Sequence, residues 1–107
     1  MTYCFDIDGT ICTDPQGEYG KAEPHREMVA VINRLRSEGH RILIFTARGS
    51  GTGLDWKELT ERQLAAWGVG YDRLYFGKPP ADVYVDDKAV NIAEFRLAML
   101  GTIQPPA

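Results

Sequence analysis

The stretch that decides the fold is FDIDGT, from Phe5 to Thr10. Two carboxylates, Asp6 and Asp8, stand one residue apart at the end of the apolar run TYCFDI, which predicts a short buried strand. If the chain stays extended across the pair, both side chains reach the same side of the sheet, with a backbone carbonyl between them. Gly9 follows and lets the chain leave in a conformation that a β-branched residue would resist. The end of this strand is therefore a candidate site.

Composition places the chain among ordinary globular proteins. Its 107 residues are 44% hydrophobic and 25% charged, which suits one domain spanning 1–107. A formal net charge of −3 weighs against a nucleic-acid partner, because such proteins grip phosphates with basic surfaces. Cys4 and Cys12 are predicted to be reduced thiols. No charged leader precedes an apolar segment, and no apolar run is long enough to cross a bilayer. We therefore expect a cytoplasmic protein with no membrane partner.

Strand and helix patterns alternate along the chain. After the first strand the sequence predicts a loop or flap at 11–23, a helix from about Pro24 to Glu38 and a second strand at 41–46. A glycine-rich loop at 47–53 then leads to a helix that begins with a capping box at Asp55 and Glu58 and stops at Gly68. Two strands at 73–76 and 82–85 follow, then a helix whose apolar side chains are Val90, Ala93 and Leu97, and a frayed tail at 101–107. This order is typical of an α/β protein. It predicts a three-layer, doubly wound, mainly parallel sheet.

Polar side chains follow every predicted strand. They are Asp6 and Asp8 after the first, Thr46 after the second, Lys78 after the third, and Asp86 and Asp87 after the fourth. Ligands of open α/β sheets bind at the carboxyl ends of the strands, so these groups are expected to converge. Crowded carboxylates repel one another unless a cation joins them. Hard oxygen ligands suit Mg²⁺, which also binds substrate phosphate.

Four segments in order, FDIDGT, FTAR, GKP and YVDDKAVN, resemble the motifs of the haloacid dehalogenase superfamily of aspartate-based phosphotransferases. The resemblance runs from about Tyr3 to Phe95 and implies a Rossmann-like core. Members of this superfamily insert cap domains after the first motif or between the second and third. Both intervals are short here, which implies a capless member. The segments TARGSGTGLDW, WGV and GKPPADVYVDDKAVN are most similar to small phosphatases of bacterial capsule and surface-polysaccharide biosynthesis.

The resemblance implies catalytic roles for four residues. Asp6 would be the nucleophile that becomes an aspartyl-phosphate, and Asp8 the general acid and later the base. Thr46 and Lys78 would bind the transferring phosphoryl group. Members that cleave carbon–halogen bonds lack the second aspartate, so the presence of Asp8 favours phosphoryl transfer.

The same resemblance implies a metal site and substrate contacts. Mg²⁺ would be held by Asp6, the backbone oxygen of Asp8 and one acid of the fourth motif. Asp87 is the favoured ligand there, and Asp86 would pair with Lys78 or with a metal-bound water. Candidate substrate contacts are Gly9, Thr10, Arg48 and Asn91. Arg48 has the alternative of being a solvated loop arginine, and Asn91 stands where many members carry another acid.

The sequence therefore predicts a Mg²⁺-dependent phosphomonoesterase that acts on a small phosphorylated substrate, with a sugar phosphate in surface-polysaccharide biosynthesis as the leading choice. One alternative is a nucleic-acid end phosphatase, against which the acidic charge weighs. Another is a receiver-type signalling domain, whose phosphoacceptor lies on a later strand than its acidic pair. Oligomeric state stays open, and a homo-oligomer is compatible with the aromatic face of the second helix.

Overall fold

A computed structural model describes residues 1–50 and 53–100. The centre of the predicted glycine-rich loop and the predicted frayed tail lie outside the described residues. The elements are β1 (Thr2–Asp6), α1 (Arg26–Ser37), β2 (Arg41–Phe45), α2 (Lys57–Trp67), β3 (Arg73–Tyr75), β4 (Val83–Val85) and α3 (Ile92–Leu100), with one 3₁₀ turn at Tyr19–Lys21.

The four strands form one sheet in the order β3-β2-β1-β4, and every pairing is parallel. The predicted α/β, Rossmann-like class is confirmed. From β1 the chain steps outward to β2 and β3, and it then returns to place β4 on the other side of β1. Such a reversal opens a crevice between the carboxyl ends of β1 and β4, where ligands of open α/β sheets bind. The sequence motifs on β1 and β4 flank this crevice.

Both α1 and α2 pack on one face of the sheet. Their buried side chains form a single cluster with alternate residues of β1 and β2; its strand and helix members are Phe5, Ile42, Ile44, Val29, Ile32, Leu64 and Trp67. This arrangement follows from the topology, because two right-handed crossovers that step in the same direction place their helices on the same face. The amide of Asn33 joins α1 to the residues just after α2, donating to Gly68 O at 2.9 Å and accepting from Gly70 N at 2.7 Å.

Cys4 and Leu43 are buried on the opposite face, as strand alternation requires. Residues 76–82 cross from β3 to β4 without a helix. Both cysteines are free and buried, so the prediction of reduced thiols is confirmed. Within the described part of α3, the apolar side chains of Ile92, Phe95 and Leu97 are exposed. Among the helices of residues 1–50 and 53–100, none combines the length and hydropathy that crossing a membrane requires.

Helix boundaries differ from the predicted ones by one or two residues. α1 begins at Arg26 rather than near Pro24, since His25 occupies the N-cap. The predicted capping box at Asp55 is wrong by one position, because Trp56 is the N-cap of α2 and its side chain does not cap. The Asp55 carboxylate instead accepts the backbone N–H of Lys57 at 2.9 Å. Gly68 ends α2 in the left-handed region, at φ 74°, as predicted.

Candidate active site

The loop after β1 is built around one carbonyl. The backbone N–H groups of Thr10, Ile11 and Cys12 all point to Ile7 O, at 3.0, 2.9 and 3.2 Å. Gly9 donates to Cys12 O at 2.9 Å and adopts φ 86°, in the left-handed region. This tight winding keeps Asp6 and Asp8 beside the same cavity, which has a volume of about 300 Å³. The chain therefore presents both carboxylates of the first motif to one space.

Three carboxylates meet at the crevice between β1 and β4. One oxygen each from Asp6, Asp86 and Asp87 lies within 4.8 Å of the other two. Asp86 is fixed by the turn that follows β4, because its Oδ1 accepts the backbone N–H of Lys88 at 2.9 Å. Residues more than 75 positions apart in the chain thus share one small volume, as the order of the strands requires.

Burial raises the pKa of Asp6 from 3.8 to about 7, and the negative charge of Asp86 adds to that rise, with smaller contributions from Asp87 and Asp8. The backbone N–H of Ile7 opposes the shift. A carboxylate crowded by like charges in a partly buried position favours a proton or another cation. The cluster fits a hard divalent ion such as Mg²⁺, because all three donors are carboxylate oxygens.

Gly9 is where the two halves of the cluster touch. A Cβ built on Gly9 would overlap the Asp87 carboxylate. The backbone of the first motif therefore packs directly against an acid of the fourth. Only glycine satisfies both this close approach and the positive φ.

Arg48 does not face solvent. Its side chain is fully buried and forms a two-pronged pair with Asp8: Nε donates to Oδ2 at 3.0 Å and Nη2 donates to Oδ1 at 2.7 Å. Its Nη1 donates to Thr60 Oγ1 at 3.1 Å and to Gln63 Oε1 at 2.6 Å. The guanidinium also lies 4.7 Å from the centre of the Tyr19 ring. The guanidinium thus binds the protein's own carboxylate, although Arg48 also lines the acidic cavity.

Thr46 lies at the carboxyl end of β2, only 2% exposed, and its Oγ1 accepts the backbone N–H of Arg48 at 3.1 Å. Its own hydroxyl proton has no acceptor among the described residues, and Thr46 does not line the acidic cavity. Lys78 also does not line the acidic cavity that Asp6, Asp86 and Asp87 border. Its ammonium instead lies 4.3 Å from the centre of the Tyr84 ring.

The remaining predicted contacts also lie outside that cavity's lining. Thr10 is buried, its hydroxyl has no hydrogen-bond partner among the described residues, and it borders a different cavity beside His25. Asn91 caps the start of α3, because its Oδ1 accepts the N–H of Ala93 at 2.9 Å. The roles assigned from the sequence to these residues stay predictions.

Sequence reasoning missed two contributions to the site: flap residues that line the cavity, and residues of α2 that hold Arg48. Gln63 is a polar residue on the otherwise apolar side of α2, and a polar group at such a position needs a partner, which is the signal that could have identified it. At the mouth of the cavity the flap residue Asp14 pairs with Lys88 at 3.7 Å. Tyr19, from the same flap, packs edge-on against Trp56 with ring centres 5.0 Å apart.

Comparison with solved structures finds similar folds. A target protein from Vibrio cholerae is 25% identical with a TM-score of 0.64, and the match covers 96% of this chain and 94% of that one. D,D-heptose 1,7-bisphosphate phosphatase from Burkholderia thailandensis is 26% identical with a TM-score of 0.50, over 70% of this chain and 51% of that chain. A chain of the Pnkp1/Rnl/Hen1 complex is 18% identical with a TM-score of 0.58, and 92% of this chain covers only 33% of it.

No protein-family model matches the chain, and a search of curated proteins finds no match. The similarity to the Pnkp1/Rnl/Hen1 complex shows the fold alone. The match to the heptose bisphosphate phosphatase, together with the fold, supports a phosphatase of haloacid dehalogenase type at a coarse level. The fold, the acidic crevice and the match to this phosphatase agree on a phosphatase-type hydrolase.

Proposed function

We propose that this chain is a Mg²⁺-dependent phosphomonoesterase that works through an aspartyl-phosphate on Asp6. The observation that carries the proposal is the meeting of Asp6, Asp86 and Asp87 within 4.8 Å at the crevice between β1 and β4. Asp6 and the two acids of the fourth motif would hold the ion together with the backbone oxygen of Asp8. When bound, the ion would neutralise charge on the cluster and on the substrate phosphate.

The chain's own residues supply the covalent chemistry. An oxygen of Asp6 forms a bond to phosphorus while the bond from phosphorus to the leaving oxygen breaks. The leaving oxygen keeps the electron pair of the broken bond and receives a proton from Asp8. In the second half Asp8 accepts a proton from the water that attacks the phosphorus of the aspartyl-phosphate. This releases inorganic phosphate and restores Asp6.

Thr46 is assigned to donate its hydroxyl proton to a phosphoryl oxygen, which agrees with its oxygen already accepting from Arg48. Lys78 is assigned to the same oxygens. In this structure its ammonium rests on the Tyr84 ring, so it serves only after leaving that ring. Of the other predicted substrate contacts, Arg48 is committed to Asp8 and is assigned to holding that carboxylate rather than the substrate.

A small sugar phosphate of surface-polysaccharide biosynthesis is the proposed substrate. Two observations support this choice: the resemblance of the motifs to capsule-associated phosphatases, and the match to a phosphatase whose name specifies a heptose bisphosphate. A nucleic-acid end phosphatase is the second candidate, since another solved structure with this fold is described as an RNA repair complex. The net charge of −3 favours the sugar phosphate.

The test is phosphate release from a panel of sugar phosphates, nucleotides and 3′-phosphorylated oligonucleotides, with Mg²⁺ and with a chelator. We expect Mg²⁺-dependent release, and loss of at least about 10³-fold in kcat for Asp6→Asn. Asp82→Asn is the matched control, because Asp82 lies at the opposite end of β4 and accepts the backbone N–H of Thr2 at 2.7 Å. Undiminished release by Asp6→Asn would refute the mechanism.

A further inference from the structure

Gln63 joins the flap to the arginine that holds Asp8. Its Oε1 accepts from Arg48 Nη1 at 2.6 Å, and its Nε2 donates to the backbone carbonyl of Tyr19, also at 2.6 Å. A guanidinium only donates and a carbonyl only accepts, so the two partners fix which end of the amide faces each of them. Gln63 is therefore held in one orientation between the flap and the arginine.

On its far side the same guanidinium sets the position of Asp8. Two parallel N–H groups meet the two oxygens of the carboxylate, a geometry that fixes the rotation of the carboxyl group as well as its distance. Arg48 cannot shift toward or away from Asp8 without breaking its contacts to Thr60 and Gln63. Residues of α2 therefore determine the position of Asp8 through Arg48.

The flap enters through Tyr19, at the start of the 3₁₀ turn Tyr19–Lys21. Its carbonyl accepts from Gln63, and its ring covers Arg48 and meets the edge of Trp56. Flap, arginine and carboxylate therefore form one connected chain of contacts with Gln63 at its centre.

We propose that Gln63 is a positioning residue that couples the flap to the proton-transferring carboxylate of Asp8. The inference rests on the proposed function, in which Asp8 protonates the leaving oxygen. Without Gln63, Arg48 loses its hydrogen-bonded link to the Tyr19 carbonyl and one of its two anchors on α2, and keeps only the Tyr19 ring as a contact with the flap. The Asp8 carboxylate then spends less time where the leaving oxygen needs a proton.

The experiment compares two aryl phosphates of similar size. Phenyl phosphate releases an oxygen that needs a proton, whereas p-nitrophenyl phosphate releases a far more stable anion that leaves with little help. In Gln63→Met, which keeps the length of the side chain and removes both hydrogen bonds, we expect kcat/KM to fall by about 10-fold for phenyl phosphate and by no more than about 2-fold for p-nitrophenyl phosphate. A purely structural defect would lower both values together.

Arg62→Met is the matched control, because Arg62 lies on the same helix, is exposed and pairs only with Glu58 among the contacts of the described residues, at 3.7 Å. Gln63→Glu separates the two contacts, since it keeps an acceptor for Arg48 and presents an oxygen to the Tyr19 carbonyl. We expect it to shift the ratio of the two kcat/KM values in the same direction. Thermal unfolding of each variant confirms that it is folded.

The outcomes are distinguishable. Wild-type protein inactive on both esters and on every phosphate of the panel above would overturn the proposed function and this inference with it. Wild-type activity with an unchanged ratio in Gln63→Met would overturn the role of Gln63 and leave the phosphatase assignment standing. A ratio that shifts in Gln63→Met but not in Gln63→Glu would overturn the coupling to the flap.

Discussion

Replacing Gly9 by alanine tests the metal assignment through a single methyl group. Gly9 has φ 86°, and an added Cβ would overlap the Asp87 carboxylate. Gly39, at the end of α1, has φ 93° and nothing within 4 Å of such a Cβ. Both substitutions therefore carry the same backbone strain, about 1–2 kcal/mol for an L residue in the left-handed region. Only Gly9→Ala also displaces a carboxylate.

The displacement is large on the scale of metal coordination. To restore an ordinary carbon–oxygen separation, the Asp87 carboxylate must move by about 1 Å. Ligand distances in metal sites hold to within about 0.2 Å. A carboxylate moved by that amount no longer shares an ion with Asp6. We expect the affinity for Mg²⁺ to fall at least about 10-fold, or about 1.4 kcal/mol.

Thermal unfolding with and without Mg²⁺ measures this loss. At a Mg²⁺ concentration about 100 times the wild-type Kd, binding stabilises the wild type by about 2.7 kcal/mol, and a 10-fold weaker site gives about 1.4 kcal/mol. For a domain of this size the difference corresponds to a rise in Tm that is smaller by about 5 °C or more. Gly39→Ala should keep the full rise. Equal Mg²⁺-induced rises in the two alanine variants would refute the assignment of Asp87 as a direct ligand and favour Asp86.

Other predictions concern titration and burial. In metal-free protein the pKa of Asp6 is raised to about 7, so the folded state binds more protons than the unfolded state between about pH 4 and 7. The free energy of unfolding should therefore fall as pH rises from about 4 to 7. Unfolding experiments across this range should show a flatter decline for Asp6→Asn. Burial raises the pKa of Cys4 to about 11 and that of Cys12 to about 12, and both thiols should resist iodoacetamide at pH 8 until denaturant is added; labelling of the folded protein would contradict this. Asp72 accepts the N–H of Ile42 at 2.8 Å, and this hydrogen bond lowers the pKa of Asp72. Asp72→Ala should therefore lower the free energy of unfolding by about 1–2 kcal/mol at pH 7, and by progressively less as pH falls below about 4. A loss that does not change with pH would count against an ionised acceptor.

The fold was largely predictable because its signals are local. Apolar runs of strand length, helical spacing in α1 and the glycine stop of α2 depend on neighbours in the sequence, and each was placed to within a residue or two. The capping box failed because the turn before α2 contains both Asp55 and Trp56, and backbone geometry rather than residue type chose the N-cap. The order of the strands, and with it the shared face of α1 and α2, depends on contacts distant in sequence.

The site shows the same division. The proximity of Asp6, Asp86 and Asp87 could be predicted because parallel strands have their carboxyl ends at the same edge of the sheet. The partner of Arg48 could not, since it depends on which way a long side chain points from a loop. Lys78 lies on a crossover whose path over the sheet no local pattern specifies. Gln63 left a signal, a polar residue on an apolar helix face, but nothing in the sequence says what it binds.

The edge strand β4 pairs with the sheet through only three residues, Val83–Val85, and carries two negative charges just past its end. Without a cation those charges repel Asp6 on β1, which is the only neighbour of β4 among the strands of residues 1–50 and 53–100. A bound ion would attract the carboxylates of both strands in place of that repulsion, so metal binding would also stabilise the pairing of the edge strand with the sheet. Amide hydrogens of β4 should then exchange more slowly with Mg²⁺ present, while those between β2 and β3 should hardly change.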